Sequence, residues 1–270
     1  MAAFPVLRAH RRGRWQAWSA AALQADVAAL AAGWQALGVR AGDRVGAVGP
    51  LGAPFVLSLL ALRALGAQLV PGGPLRHVLV DSSHALEALR ACQAEAGTVV
   101  LAHGLPGAAP AGAVPFGTLF QHGACTVDLE IDTNRTGDRA SVIAEFDPAW
   151  TPGLSRLLSD WLPRGAVLHL PEPGGDAWAD RRTAAPREWW ADAPTLARAA
   201  DELDARLPAA PLSSWARWRA QRVLGLSSGL RYTGDAQLPA AARAVFDRLG
   251  WVDAAEPLLP AGAAFAAGVA

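Results

Sequence analysis

The chain contains no lysine: all 24 basic side chains among its 270 residues are arginines. GC-rich coding favours arginine in a chain this rich in alanine and glycine. That origin explains the bias but supplies no catalytic ammonium. Cysteine is scarce, with 2 residues, Cys92 and Cys125, and neither has a partner at metal-site spacing. Their scarcity excludes a disulfide framework and a cysteine metal cluster and fits a reducing compartment. Excess charge of either sign is also missing, since the 24 arginines are matched by 24 acidic residues. Nothing therefore draws the chain to nucleic acid or to an anionic membrane. Long apolar runs are lacking too. The most apolar stretch, Phe55–Leu65, includes Arg63 and is too short to span a bilayer. The N-terminus has no apolar signal-peptide core. These absences together predict a soluble, cytoplasmic protein with neither nucleic acid nor membrane among its partners.

What is present is apolar: 52% of residues are hydrophobic and 18% charged, enough for a sizeable core. Ser19 can cap a helix on which Leu23, Val27, Leu30, Trp34 and Leu37 recur at helical spacing until Gly38. Val45–Val48 reads as a short strand. Pro54 suits the first turn of a second helix, which stops at Gly66. Ala67–Val70 and His77–Val80 read as strands, 83–94 as a helix and 98–102 as a strand. Residues 104–115 read as a loop. After an interval of unclear order from Gly123, the spacing predicts a strand at Ser141–Phe146, a helix near Pro152–Leu162 and a strand at Val167–Leu170. Pro171–Pro186 reads as a polar surface loop and Pro194–Arg206 as a helix. Residues 222–226 read as a strand and Pro239–Leu249 as a helix. Strands alternating with helices imply an α/β fold with parallel sheets. Val45, Val48, Leu59, Leu62, Leu69 and Val70 are the predicted core of the first part.

Four groups of residues carry a resemblance to a known family. Trp18-Ser19-Ala20-Ala21-Ala22-Leu23 is similar to an aromatic-Ser/Thr step that opens a helix. Leu37-Gly38-Val39-Arg40-Ala41-Gly42-Asp43-Arg44-Val45 resembles an "LGV-x-x-GDRV" turn. Leu62-Arg63-Ala64-Leu65-Gly66-Ala67-Gln68-Leu69-Val70-Pro71 resembles "LxAGAxxVP". Further on, Thr233-Gly234-Asp235-Ala236-Gln237-Leu238-Pro239 is similar to a "GGAPLP" turn, followed by a matching helix at Ala244–Gly250. All belong to the adenylate-forming superfamily of acyl-CoA synthetases and AMP-binding ligases. The resemblance spans residues 15–250 and is strongest in the first third.

It implies an α/β fold with two doubly wound subdomains and parallel-rich sheets, as in the N-terminal domain of acyl-CoA synthetases. The expected boundaries are 1–122 for the first subdomain, 123–137 for a shortened junction and 138–270 for the second. By analogy with the family's adenine turn, the expected ligand-side residues are Ser228, Arg231, Gly234, Asp235 and Ala236.

The departures from the family bear on function. Where the family has a Ser/Thr/Gly-rich phosphate loop ending in Pro-Lys-Gly, this chain has a short interval containing Asp128, Glu130 and Asp132. A phosphate loop works by turning backbone N–H groups and a cation onto phosphate oxygens, which these carboxylates would oppose. The family's "YGxTE" motif has only Glu256 as a candidate counterpart. Its ribose-binding Asp, hinge and C-terminal domain have no counterpart in the sequence. The resemblance therefore implies a truncated, non-catalytic domain with no catalytic residue and no obligate cofactor. It would bind a small acyl or nucleotide ligand, or a protein partner, and a homodimer or a partner protein would cover the face left bare. The alternative is an acyl-CoA or acyl-AMP ligase using ATP, with Arg135, Arg139 and Arg231 as its phosphate cations.

Other motifs carry less. Gly225-Leu226-Ser227-Ser228-Gly229 satisfies the G-x-S-x-G pattern of a hydrolase nucleophile elbow. That pattern requires a strand before it and a helix after it, and no histidine follows to complete the triad. The 6 histidines, His10, His77, His84, His103, His122 and His169, form no helical i, i+4 pair beside a carboxylate, so no metal site is expected. The chain has 11 tryptophans, concentrated in its second half. Trp215-Ala216-Arg217-Trp218-Arg219 reads as an amphipathic helix with buried tryptophans and solvated arginines. If the tryptophans were exposed, the segment would be an interface candidate.

Overall fold

The computed structural model describes residues 4–72, 75–80, 98–101, 113–131, 140–207, 212–224, 230–233 and 238–253. The chain forms two compact units, one of Met1–Pro5 with Trp18–Glu130 and one of Val6–Ala17 with Ile131–Ala270. Both are α/β and rich in parallel strands.

The first unit contains helix α1 (Ala20–Ala36), and the Ser19 hydroxyl accepts a hydrogen bond from the Ala22 amide at its start. That cap satisfies one of the free amides every helix end leaves open. Leu23, Val27, Leu30 and Trp34 are fully buried along one face. Helix α2 (Ala53–Ala64) has Pro54 in its first turn and is buried nearly all round, so it reads as a continuous apolar run. The sheet comprises β3 (Arg44–Val48), β4 (Gln68–Pro71), β5 (His77–Val80), β6 (Thr98–Leu101) and β7 (Ala113–Pro115), in the order β4-β3-β5-β6-β7. Each neighbouring pair in it is parallel. A 3₁₀ turn at Phe116–Gln121 follows and packs against α1. Their approach is so close that a Cβ on Gly33 would lie 2.3 Å from the Leu119 carbonyl oxygen. Only glycine fits there.

The second unit is built on a seven-stranded sheet in the order β12-β11-β10-β8-β9-β1-β2. Its strands are β1 (Pro5–Arg11), β2 (Arg14–Ser19), β8 (Ser141–Glu145), β9 (Val167–Leu170), β10 (Glu188–Ala191), β11 (Arg231–Thr233) and β12 (Val252–Asp253). The ladder from β12 to β1 is parallel throughout. β1 returns into β2 through Arg12-Gly13, both with positive φ (50° and 73°), as a two-residue hairpin turn demands. The helices are α3 (Thr151–Ser159), α4 (Ala177–Ala184), α5 (Ala193–Asp204), α6 (Ser214–Leu224) and α7 (Ala240–Leu249). The core joins Ile143, Trp189, Leu196, Leu203, Tyr232, Phe246 and Trp251.

Several sequence expectations require correction. The predicted loop 104–115 ends in a strand, β7, because Ala113–Pro115 adds to the open edge of β6. The predicted surface loop Pro171–Pro186 contains α4. Asp176 caps that helix by accepting from the Ala179 amide at 3.0 Å, and Ala185 ends it with a left-handed φ of 45°. Its polar residues suggested solvent, yet Asp180 and Arg181 are buried against partners. The predicted strand at 222–226 begins inside α6. Trp215-Ala216-Arg217-Trp218-Arg219 is helical, but Trp215 and Trp218 are exposed rather than buried. Val48 and Val70 are only partly buried, whereas Val45, Leu59, Leu62 and Leu69 are core. The predicted helix at 83–94 lies outside the described residues.

Candidate functional site

Open parallel sheets bind ligands where their strands end, because the connecting loops diverge at the carboxyl edge. In the second unit this edge follows Glu145 of β8, Leu170 of β9, Ala191 of β10 and Thr233 of β11. Asp192, just after β10, uses both carboxylate oxygens. Oδ1 accepts from the Thr195 amide at 2.9 Å and caps α5, while Oδ2 accepts from the Asp147 amide at 2.6 Å. Asp147 in turn accepts from the Ala149 amide at 2.8 Å. Phe146 and Trp150 meet edge to face at 5.2 Å. A Cβ on Gly153 would stand 2.5 Å from the Trp150 ring, so that helix start is packed shut.

Beside this edge, Arg181 of α4 reaches Glu145 with Nε and Nη2, each 2.7 Å from Oε2. The guanidinium carbon lies 4.3 Å from the ring centroids of both Trp178 and Trp189. Burial pushes the Glu145 carboxyl up, and Arg181 opposes that rise. Asp180, the preceding residue, has Oδ1 2.7 Å from Nδ1 of His10, and its Oδ2 accepts from the Glu172 amide at 2.8 Å. Glu172 accepts from the amides of Arg12 (2.5 Å) and Gly13 (3.2 Å) in the β1–β2 turn. Those two bonds hold its carboxyl below the usual range. His10 stacks on Trp15 at 5.1 Å, and His169 meets the Trp15 ring edge-on at 5.7 Å. Burial, with Arg8 nearby, pushes His169 down to about 4, so its imidazole is neutral at physiological pH.

The carboxylates Glu145, Asp147, Glu172, Asp180 and Asp192 are thus already committed to backbone amides or to Arg181. They brace the strand ends. Neutral, buried His169 is no proton donor at pH 7. Among the described residues no group of three or more His, Cys, Asp or Glu side chains is placed to hold a metal ion. None of this brace was singled out from the sequence. The signal available was Glu145 ending an apolar strand, with Trp178 and Arg181 in the stretch read as loop.

Of the residues expected to face a ligand, Ser228, Gly234, Asp235 and Ala236 lie outside the described residues, as do Arg135, Arg139 and Glu256. Arg231 is described. It opens β11 at the amino end, exposed, in register with Glu188 of β10 and Val252 of β12. Two residues on, β11 ends at Thr233, and the chain continues into Gly234. Around Gly225-Leu226-Ser227-Ser228-Gly229, helix α6 precedes and strand β11 follows. A nucleophile elbow needs the reverse order, so the hydrolase pattern is fortuitous.

In the first unit, the segment after the 3₁₀ turn is spent on α1. The Cys125 amide donates to the Ala28 carbonyl at 3.1 Å, and the Leu129 amide donates to Gln24 Oε1 at 3.1 Å. Gln24 Nε2 donates back to the Val127 carbonyl. Asp128, between these ties, and Glu130, just beyond them, are exposed. A phosphate cradle needs such amides unspent and turned outward. Here two of them are consumed within the fold.

No protein-family model and no curated protein matches the sequence. Solved structures do match. An acetoacetyl-CoA synthetase from Streptomyces lividans is 17% identical, with 91% of this chain covering 47% of that one at a TM-score of 0.61. The A-PCP didomain of carboxylic acid reductase from Segniliparus rugosus, solved in complex with AMP, is 13% identical, with coverages of 91% and 48% and a TM-score of 0.69. An acyl-CoA synthetase from Brucella canis is 17% identical, with coverages of 92% and 53% and a TM-score of 0.66. The chain therefore has the fold of adenylate-forming acyl-CoA synthetases and reductase A-domains, and it spans about half the length of these structures. Among the described residues no helix is long and apolar enough to cross a membrane.

Proposed function

We propose that this chain is a non-catalytic relative of the adenylate-forming ligases. It keeps their scaffold, and with it a site for a small acyl or nucleotide ligand at the end of β11. The observation that carries this reading is the loss of phosphate-handling chemistry. The chain has no lysine, and the described residues that follow the 3₁₀ turn present Asp128 and Glu130 while the Cys125 and Leu129 amides are tied to α1. Losing one strong cation from a charged transition state costs about 3 kcal/mol, which is roughly a hundredfold in rate. Several such losses leave no useful turnover. Residues Ser228, Gly234, Asp235 and Ala236 would line the ligand site, with Arg231 nearby on β11.

ATP–pyrophosphate exchange across a panel of carboxylic acids tests the reading. The expected result is no exchange above background with any acid. Exchange that disappears in Arg231→Ala would replace it with the arginine-based ligase. Calorimetry with AMP then addresses binding without turnover. Weak binding lost in Asp235→Ala supports a retained nucleotide site, and absence of heat directs the search to acyl ligands.

A further inference from the structure

Of the 11 tryptophans, Trp215 and Trp218 alone are exposed, at 63% and 50%. Both stand on one face of α6. The helix is not loosely attached. Ser213 caps it by accepting from the Ala216 amide at 3.2 Å. Gln221 donates from Nε2 to the Leu249 carbonyl at 2.6 Å, and Ala216 and Ala220 pack on the core cluster. Arg217 lies against Gly250, where a Cβ would be 3.2 Å from Nη1. With that inner face pinned, residues 215, 218, 219 and 222 are turned outward at i, i+3, i+4 and i+7, and all four are exposed.

The arginines on this stripe are positioned. The guanidinium carbon of Arg219 lies 5.3 Å from the Trp215 ring centroid, and that of Arg222 lies 5.3 Å from the Trp218 ring centroid. Neither has a carboxylate partner among the described residues, and α6 itself carries no acidic side chain. A guanidinium held over an indole leaves its N–H donors free for a partner and has already lost some of its rotamer freedom. Two apolar rings and two oriented forks within two helical turns are the composition of an interface hot spot. Carboxylates are the complementary groups, since they accept paired N–H donors from a guanidinium. Insertion into a bilayer is disfavoured, because the stacked charge would have to follow each ring out of water.

We infer that the Trp215–Trp218–Arg219–Arg222 face of α6 docks an acidic protein segment, whose carboxylates meet the two guanidiniums and whose apolar side chains cover the two indoles. This goes beyond the proposed ligand site and is independent of it, because the face lies on the outer side of a helix that the strand-end reading does not use.

The test uses a fluorescein-labelled amphipathic peptide of Glu and Leu at helical spacing, titrated with the full chain and followed by anisotropy. Binding should weaken about tenfold or more in Trp215→Ala/Trp218→Ala and in Arg219→Gln/Arg222→Gln. The same peptide with Gln for every Glu should bind at least about tenfold more weakly, and added salt should weaken the acidic peptide's binding. Because all four residues are exposed, the variants should melt at the wild-type temperature, so a binding loss is not a folding loss. The proposal is overturned if the acidic peptide does not bind, if the double variants bind it as wild type does, or if the Gln peptide binds equally well. Tighter binding to a single-stranded oligonucleotide or to phosphatidylglycerol vesicles, abolished by the same variants, would also overturn it by assigning the face to another class of partner.

Discussion

Arg181 holds Glu145 through two nitrogens, Nε and Nη2, each 2.7 Å from Oε2, inside a sandwich of Trp178 and Trp189. Both charged side chains are almost wholly removed from water, at 5% and 9% exposure. The pair joins α4 to the end of β8, so it locks onto the sheet a helix whose sequence looks like surface.

Breaking one side of this pair should be costly. Arg181→Met leaves a buried carboxylate without its cation and should destabilise the second unit by about 3–5 kcal/mol. The double variant Arg181→Met/Glu145→Leu removes both charges and should recover most of that loss. Urea unfolding followed by tryptophan fluorescence measures both. If the two single effects simply add in the double variant, the pair is not coupled.

Stability should fall as pH drops from 6.5 towards 4. His169 is held down to about 4 by burial and Arg8, so the unfolded chain binds its proton first as pH falls. A group with a depressed histidine pKa contributes stability that is complete above the unfolded value of 6.5 and is lost on acidification. Down to pH 4.5 the expected loss from His169 is about 2–3 kcal/mol. His77 is shifted in the same direction, by burial and then Arg76, and adds to the slope in the first unit. Glu172 does not contribute in this window. Its lowered carboxyl keeps its stabilisation above 4.5 and loses it only as pH falls through the lower folded value. His169→Leu should flatten the second unit's profile between pH 6.5 and 4.5, and an unchanged slope would show that His169 accepts a proton without cost.

Gly33→Ala sets two effects against each other. Alanine favours the helix by about 1 kcal/mol. The new methyl would sit 2.3 Å from a backbone oxygen of the 3₁₀ turn, which cannot rotate away. Overpacking of this kind costs about 1–3 kcal/mol, so a net loss is expected. A raised melting temperature would mean that α1 and the turn separate readily.

Leu62 tests the packing of α2. It is fully buried, and Leu62→Ala should cost about 2–5 kcal/mol through lost transfer energy and an unfilled cavity. The readout is the midpoint of thermal unfolding by circular dichroism, and an unchanged midpoint would contradict the burial.

Where local chemistry and burial agree, the sequence was enough by itself. Ser19, the apolar stripe from Leu23 to Trp34, and Gly38 specify α1 within a few residues, because cap, periodicity and stop are all local. His77–Val80 and Val167–Leu170 are short apolar runs buried as parallel strands, and they are legible for the same reason. The turn at Leu37–Val45 and the segment Leu62–Pro71, which ends in β4, also carry enough of the family pattern to point to the adenylate-forming fold, which the structural comparison bears out. The order of tertiary neighbours decided the rest. β1 finds its partner in β9, more than a hundred residues later, by register that no local pattern encodes. Helix α4 is hidden in sequence because its buried positions include Asp180 and Arg181, whose partners lie elsewhere in the chain, Glu172 just beyond β9 and Glu145 at the end of β8. The tryptophans of α6 were expected inside, since indole is apolar. They face outward because Ala216, Ala220 and Gln221 fit the core and the Leu249 carbonyl better than an indole could, and a helix that buries one face must expose the other.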